Sequence, residues 1–335
     1  MKLAGVDAAG GGLLIGGTST QQVCKRGARI TAVNMLSELD ADAEYYIERS
    51  NGSPAAAAAR GMLFFRKPPP NTSPQHDLDS GNAASDSNSA GASVQGAFIS
   101  VAPSVISFAT NASFVTIKAL RLEHSRGSAV VAYAPATNIT LSNCTIANTG
   151  ASGVEMTDCT DCVIEGCNIY GTAGFGVNIA GGRHDTLRRG NNLVRRNSIH
   201  HYARWHRSNK PGIHWQGVGN AFVGNRIHDS PTQAIMGGGD SAVCGHCSFD
   251  KKYNLVCEND YDLACGANDN VFDGNWLYNV TRECTDCGQF YSCGQTGAGY
   301  DRRGNVFKNN RMEHSRRITQ PVNRGAFGNM QVFTF

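Results

Sequence analysis

The chain has 335 residues, of which 39 are glycine and 8% are aromatic, and it carries a formal net charge of +3. This length permits one to three domains, and the composition favours many short strands with tight turns over a helical bundle. The small charge, without a basic run interleaved with aromatic residues, argues against a nucleic-acid-binding protein, and no apolar run approaches the roughly 18 residues of a membrane-spanning helix.

The cysteine content indicates an exported protein. Twelve cysteines suit an oxidising compartment better than the cytosol. The N-terminal sequence MKLAGVDAAGGGLLIGG is a poor secretory signal, so we expect secretion with a leader missing from this sequence. Asn-X-Ser/Thr sequons agree with this expectation, and they occur at Asn51, Asn71, Asn111, Asn138, Asn143 and Asn279.

Residues 1–67 are predicted to form an N-terminal β region. The first 24 residues show no clear pattern, but Tyr45–Ile47 and Met62–Phe65 have the composition of strands. The Asn51-Gly52 turn signal between them predicts a hairpin. Residues 68–97 are rich in Pro, Ser, Asn and Gly with almost no large apolar residue, which predicts a low-complexity linker or loop.

Residues 98–335 repeat one phrase of alternating apolar residues, such as ITLSNCTI and CVIEGCNI, at intervals of about 23 to 30 residues between most copies. This periodicity is typical of a solenoid in which each turn is one repeat. The phrases end at the apolar residues Leu122, Ile146, Ile169, Ile199, Ile227, Leu277 and Met312. Two places earlier stands a residue that we predict to form an inward structural ladder: Cys144, Cys167, Asn197, Asn225, Asn275 or Asn310.

A second phrase recurs between these copies, as SGVEM, FGVNI, PGIHW, QAIMG and GQFYS. Short strands without a helical period predict an all-β parallel β-helix, because stacked coils bury apolar faces that one coil cannot bury alone. Alternation in the second phrase predicts one outward stripe along the stack. This stripe comprises Glu155, Asn178, His214, Met236 and Tyr291.

An insertion interrupts the repeats at about residues 241–267 and carries Cys244, Cys247, Cys257 and Cys265. These cysteines could form a small zinc site, but two disulfides are the favoured interpretation in an exported protein. Further close pairs are Cys159 with Cys162 and Cys284 with Cys287, and Cys144 and Cys167 are expected on adjacent coils.

The segment RECTDCGQFYSCG, from Arg282 to Gly294, carries the candidate chemistry. Glu283 and Asp286 stand three residues apart just before a short strand that includes Tyr291. A sugar-cleaving site needs one carboxyl group to protonate the leaving oxygen and another to activate water or attack. The alternative is a solvated turn held by its cysteines. Gln233 and Asp240 are expected to flank the same groove, whereas His228 is either a turn residue or part of it.

The ordered phrases NRIHDSPTQAI, GGGD, NDNVFDGNWLYNV, RECTDCGQFY and RRGNVFKNNRMEHS resemble a family of right-handed parallel β-helix proteins related to glycoside hydrolase family 141, of the fucosidase/xylanase type. The family reads E-T-D-D-A-G-A-[IF]-Y where this chain has Glu283 to Tyr291. The resemblance implies that Asp286 is a catalytic carboxylate, that Thr285 replaces an aspartate, and that Gln233 stands where relatives have histidine. It also implies that the chain ends before an Asp-Asp pair that would supply the second carboxylate.

Three functions are consistent with these residues. The first is a glycoside hydrolase of polysaccharides or oligosaccharides, needing no cofactor, with catalytic Asp286 and Glu283. Its sugar-binding residues would be Tyr291, His214, Asn178, Glu155, Gln233, Asp240 and His228. The second is a polysaccharide lyase on the same fold, using either Ca²⁺ or an arginine such as Arg302 or Arg303. The third is a non-catalytic carbohydrate-binding solenoid. Each implies a saccharide partner and a monomer that binds neither nucleic acid nor membrane.

Overall fold

The computed structural model describes residues 100–133, 135–183, 186–238, 267–284, 287–292 and 304–314, together with the strand backbone of six short segments elsewhere. The chain divides into two units, Met1–Ala97 and Phe98–Phe335. No helix in the described residues is long and apolar enough to cross a membrane.

The described part of the first unit contains two antiparallel strand pairs. Tyr45–Ile47 pairs with Leu63–Phe65, which confirms the predicted hairpin. Lys2–Asp7 pairs with Gly12–Gly16, and this pair was not predicted because glycine breaks up its apolar runs. The predicted linker at residues 68–97 lies outside the described residues.

The second unit is a right-handed parallel β-helix, as predicted, with three parallel sheets in its described part. The chain passes through sheet 1, sheet 2 and sheet 3 in turn within each coil. Sheet 1 contains Ser113–Lys118, Ala136–Ser142, Cys159–Thr160, Val163–Glu165, Leu193–Arg195, Ala221–Val223, Val271–Asp273 and Val306–Lys308. Sheet 2 contains Arg121–Glu123, Thr145–Ala147, Asn168–Tyr170, Ser198–His200, Arg226–His228, Trp276–Tyr278 and Arg311–Glu313. Sheet 3 contains Ile106–Ser107, Val130–Ala132, Val154–Met156, Val177–Arg183, Ile213–Gly217, Ile235–Gly238 and Phe290–Tyr291, with Arg188–Arg189 antiparallel to Val177–Arg183.

The register of these sheets confirms the repeats that the sequence predicts. Ile146 pairs with Ile169, and Ile199 pairs with Ile227, so apolar residues of successive phrases lie in one inward column. Alternating side chains point to opposite faces of a strand, which buries the middle residue of the three-residue strands in sheet 2, except that Met312 in the last described strand is only partly buried. Aromatic side chains continue the interior towards the C-terminal coils, where the Phe222 and Phe272 rings stack with their centroids 4.9 Å apart.

The predicted amide ladder fills the turn between sheets 1 and 2. The Nδ2 group of Asn197 donates to the Ile164 carbonyl at 2.9 Å and to Asn225 Oδ1 at 3.0 Å, and the Asn197 backbone N–H donates to the same Oδ1 at 3.1 Å. Asn225 repeats the pattern with Asn275, as Asn275 does with Asn310. These bonds satisfy buried backbone groups that have no sheet partner at the turn, so the column is structural.

A second amide ladder runs parallel to the first and was not predicted. It precedes the strands of sheet 1, and Asn192 Nδ2 donates to the Cys159 carbonyl at 2.8 Å and to Asn220 Oδ1 at 2.9 Å. Each member stands five residues before a member of the first ladder, a spacing that is visible in the sequence. The members of the second ladder are Asn192, Asn220, Asn270 and Asn305.

Cysteines replace asparagines in the N-terminal coils of both ladders. The backbone N–H of Cys167 donates to Asn197 Oδ1 at 2.9 Å, and that of Cys162 donates to Asn192 Oδ1 at 3.0 Å. Cys144 and Cys167 lie on adjacent coils, as predicted, with the Cys144 N–H donating to Cys167 Sγ at 3.4 Å. These three and Cys159 are free, buried thiols, and burial raises the pKa of Cys167 to about 11.

In the insertion, the backbone of Cys247–Phe249 pairs antiparallel with Leu255–Cys257. Its cysteine side chains lie outside the described residues. The alternatives of zinc and disulfides therefore stay predictions.

Candidate functional site

The predicted polar stripe lies on the outer face of sheet 3. Glu155 pairs with Asn178, Asn178 with His214, His214 with Met236, and Met236 with Tyr291. The flanking residues of these strands point inward, so each coil contributes one outward side chain at this position. Adjacent strands of a sheet lie about 4.8 Å apart, and this spacing brings residues that are distant in sequence onto one surface.

Glu155 is held by two hydroxyl groups. Ser152 Oγ donates to one carboxylate oxygen at 2.6 Å, and the Tyr133 hydroxyl donates to the other. Tyr133 is 64% exposed; partial burial, and then its hydrogen bond to Glu155, raise its pKa to about 12. Tyr133 therefore stays protonated at neutral pH and orients the Glu155 carboxylate at the surface.

His214 is a neutral imidazole with a defined tautomer. Its Nδ1 lies 2.8 Å from Asn178 Oδ1, and because an amide oxygen only accepts hydrogen bonds, Nδ1 carries the hydrogen. Burial, and then the charge of Lys210, lower the pKa of His214 to about 4. The lone pair of Nε2 is therefore available as an acceptor or a base at neutral pH.

The loop before strand Ile213–Gly217 supplies a cation, Lys210, and an aromatic ring, Trp205. Lys210 Nζ lies 4.1 Å from the centre of the Phe175 ring, and Phe175 stacks on His214 at 5.0 Å. Trp205 is 62% exposed, and its backbone N–H donates to the Ala173 carbonyl at 3.2 Å. The tryptophan therefore lies at the end of sheet 3 where its strands begin, and sugars stack readily on such rings.

Glu283 also lies before sheet 3, where it forms a bidentate ion pair with Arg207. The next residue, Cys284, is joined to Cys287 by a disulfide, which confirms that this close pair is linked. Asp286 and Asp240, the other acids of the predicted groove, lie outside the described residues. Their catalytic and binding roles stay predictions.

Gln233 is located in the core and not in the predicted groove. Its side chain is fully buried; its Nε2 donates to Asn209 Oδ1 at 3.3 Å, and its Oε1 accepts a hydrogen bond from Thr232. The Tyr202 hydroxyl donates to the Gln233 carbonyl at 2.8 Å. These contacts turn the segment inward just before its strand begins, so Gln233 cannot contact a surface ligand in this conformation.

His228 lies on sheet 2, away from the stripe. Its ring stacks between His200, at 4.9 Å, and Tyr278, at 4.7 Å. Nδ1 is 2.7 Å from Asp229 Oδ2. Burial lowers the pKa of His228 against the opposing effect of Asp229. His228 is therefore part of a ring ladder on a different sheet from the sugar-binding residues proposed with it.

Sequence reasoning missed four groups beside the stripe: Tyr133, Ser152, Phe175 and Lys210. Tyr133 continues the outward alternation of Val130–Ala132, a strand whose apolar residues offered that signal. The other three lie in loops, whose paths no periodicity predicts. Within the described residues, no group of His, Cys, Asp or Glu side chains is arranged to hold a metal ion.

A comparison with known protein families agrees with the fold. A family model described as "Right handed beta helix region" matches residues 79–200. The chain is similar to the crystal structure of the periplasmic alginate epimerase AlgG, with 12% identity and a TM-score of 0.40 over 62% of this chain and 42% of that one. It is also similar to the A-module of a mannuronan C-5 epimerase from Azotobacter vinelandii, with 10% identity and a TM-score of 0.38 over 60% and 54% of the two chains.

A third similar structure is titled "Glycoside hydrolase" and has 12% identity and a TM-score of 0.34 over 56% of this chain and 37% of that one. A search of curated protein sequences finds no match. The chain therefore spans about half or less of the length of these solved structures. The finer resemblance to glycoside hydrolase family 141 is not confirmed.

Proposed function

We propose that this protein is an exported, carbohydrate-active enzyme, a glycoside hydrolase that binds a polysaccharide or oligosaccharide on the outer face of sheet 3. The observation that carries the proposal is the run of Glu155, Asn178 and His214 on consecutive coils. A carboxylate, an amide and an imidazole about 4.8 Å apart offer the closely spaced donors and acceptors that sugar hydroxyls require. The exposed rings of Tyr133 and Trp205 add apolar surface for the faces of the sugar.

In this proposal the stripe positions the sugar, and Asp286 and Glu283 cleave the bond. Asp286 acts as acid/base or nucleophile, and Glu283 tunes the pKa of Asp286 or acts as its partner. The bidentate ion pair with Arg207 fixes the orientation of the Glu283 carboxylate and keeps it ionised, so Glu283 acts through its negative charge. Tyr291 pairs with Met236 and extends the binding surface by one coil beyond it.

Release of reducing ends from a panel of polysaccharides tests hydrolysis. Asp286→Asn and Glu283→Gln should each lower the rate by about 100-fold or more, as expected for loss of acid–base catalysis. Asp273→Asn is the matched control, because it removes a carboxylate from sheet 1 and should leave the rate unchanged. Turnover equal to wild type in both acid variants would contradict the assignment. Binding of a glycan without turnover in any form would favour the non-catalytic solenoid.

The state of His214 favours a polysaccharide lyase as the second candidate. Elimination from a uronic acid requires a base for the proton next to the carboxylate and a cation to neutralise that carboxylate. The unprotonated Nε2 of His214 is a suitable base, and Lys210 is a cation within the same group of side chains. A lyase would form an unsaturated product whose ultraviolet absorbance grows with time, and His214→Gln would abolish that growth. Reducing ends without such absorbance would exclude this candidate.

A further inference from the structure

A pocket of about 300 Å³ opens where the strands of sheet 3 end, at the corner shared with sheet 1. This volume is at the lower end of the range for small-molecule sites. Its polar side chains are two hydroxyl groups, one amide, one carboxylate and three guanidinium groups. They belong to Thr137, Thr160, Asn111, Asp158, Arg183, Arg188 and Arg189.

The pocket exists because one strand continues beyond its sheet. Val177–Arg183 extends past sheet 3 and turns back as Arg188–Arg189, with Gly182 opposite Arg189 and Arg183 opposite Arg188. A Cβ atom at Gly181 would clash with the Cys159 carbonyl oxygen. The absence of a side chain at Gly181 therefore lets the strand pass close to Cys159, and Gly182 likewise leaves room for the carbonyl oxygens of Val218 and Arg188.

Hydroxyl groups of two adjacent coils line the pocket. Thr137 pairs with Thr160 in sheet 1, and Thr160 Oγ1 donates to Thr137 Oγ1 at 3.1 Å. Thr137 Oγ1 also accepts from Asn138 Nδ2 at 3.4 Å. Since Thr137 accepts both bonds, its own hydroxyl hydrogen is available to donate to a ligand.

The charges of the pocket favour an anion. Three guanidinium groups and one carboxylate leave two net positive charges in the lining. Arg189 is engaged with Asp269, whose Oδ2 lies 3.7 Å from Nη1, and with Asn191 Oδ1 at 3.3 Å. Among the described residues, Arg188 has no carboxylate within ion-pair distance. Arginine presents a planar fork of donors that matches the geometry of oxyanions.

We propose that this pocket binds an oxyanion, namely a carboxylate or a sulfate ester carried by a saccharide. That the carrier is a saccharide rests on the proposed function, whereas the preference for an anion does not. Asn178 and Arg183 lie on one strand, five residues or roughly 16 Å apart at about 3.3 Å per residue. An anionic oligosaccharide lying along this strand would reach both the polar stripe and the pocket.

Calorimetric titration of the full chain tests the proposal with four probes at fixed ionic strength. The probes are a galacturonate tetrasaccharide, a sulfated galactose tetrasaccharide, a neutral xylose tetrasaccharide and sodium sulfate alone. The charged saccharides should bind wild-type protein at least about tenfold more tightly than the neutral one, consistent with hydrogen bonds to charged groups. Whichever charged saccharide binds more tightly identifies the oxyanion.

Substitution of Arg188 should remove this preference. Arg188→Ala should lower the affinity for the charged saccharides by about tenfold and the affinity for the neutral one by less than about twofold. Arg188→Lys should cause an intermediate loss of affinity for the charged saccharides, because lysine keeps the charge but lacks the planar fork of donors. Arg196→Ala removes the same charge from an exposed arginine outside the pocket and should change affinity by less than about twofold, because salt screens distant charges. Thermal unfolding of each variant reports whether the chain has folded.

Three results would overturn the proposal: no binding of any anion, unchanged anion affinity in a folded Arg188→Ala variant, or an equal loss in Arg196→Ala. If only the neutral saccharide binds, the pocket assignment fails while the proposed function stands. If sodium sulfate binds in an Arg188-dependent manner but no saccharide does, the anion site stands and the proposed function fails.

Discussion

The interior amide ladders and the outer stripe of sheet 3 both recur once in every coil. They differ in residue identity, which is constant from coil to coil in the ladders and changes from coil to coil in the stripe. Asn192, Asn220 and Asn270 occupy one position in successive coils, because each coil has the same buried backbone groups to satisfy. In the stripe, Glu155, Asn178 and His214 occupy one position with three different functional groups. A position with the same residue in successive coils therefore serves the structure of the coil. A position with different residues in successive coils serves the chemistry of the surface.

The largest expected effect is the loss of a ladder residue. Asn225→Ala removes the donor to the Val194 carbonyl at 2.8 Å and the Oδ1 that accepts from Asn197. We expect a loss of roughly 3–5 kcal/mol of unfolding free energy, because several buried polar groups are left unsatisfied. Urea unfolding measures it, with the exposed Asn168→Ala as control. A loss below about 1 kcal/mol would mean that the ladder is dispensable.

Substitution of a stripe residue should instead reduce glycan binding or cleavage and leave the stability nearly unchanged. Glu155→Gln removes a charge that Ser152 and Tyr133 orient, and it should weaken glycan binding or cleavage by about 100-fold, equivalent to about 2.7 kcal/mol. Because the side chain is on the surface, the unfolding free energy should change by less than about 1 kcal/mol. Affinity and urea unfolding measured on the same preparation separate the two effects. A variant that loses stability but keeps affinity would place Glu155 among the structural residues.

The pH dependence of stability provides a third test. The pKa of His214 is lowered by burial to about 4 in the folded chain, below its ordinary value of 6.5. The unfolded chain binds the proton more tightly, so the unfolding free energy should fall as pH decreases from about 6.5 to about 4, by roughly 2–3 kcal/mol.

Urea unfolding at pH 7 and pH 4.5 measures this change, and His214→Gln should remove most of it. Burial is also the main cause that lowers the pKa of His200 to about 4, but the His200 ring is partly exposed. His200→Gln should therefore reduce the change in unfolding free energy between these two pH values by less than His214→Gln does. An identical pH slope in wild type and His214→Gln would show that the imidazole is solvated in the folded chain.

The smallest expected effect is the repair of the ladder. Cys167 Sγ lies 3.7 Å from the Leu141 carbonyl, at the place where Asn197 Nδ2 contacts the Ile164 carbonyl in the next coil. Cys167→Asn should add hydrogen bonds to that carbonyl and to Asn197, and should raise the unfolding free energy by about 1 kcal/mol. Thermal unfolding under reducing conditions measures the change. Destabilisation would show that the N-terminal coils are packed for the smaller thiol.

Much of this architecture can be read along the chain because it is local and repeated. Two-residue alternation places Ile146 and Ile169 inward, and recurrence at nearly constant intervals places Glu155, Asn178 and His214 on one surface. These predictions need only the pleat of a strand and the stacking of coils. The second amide ladder was equally accessible through its five-residue spacing from the first.

The paths of the loops depend on contacts that a periodic sequence pattern does not predict. Gln233 stands just before a strand, where a surface position was expected, but hydrogen bonds with Thr232 and Asn209 hold it in the core. Tyr133 reaches Glu155, and Arg207 reaches Glu283, because coils that are separate in sequence lie side by side. The repeat of the chain thus specifies the coil and its faces, whereas the path of each connection depends on which polar groups of neighbouring coils must be satisfied once the coils have stacked.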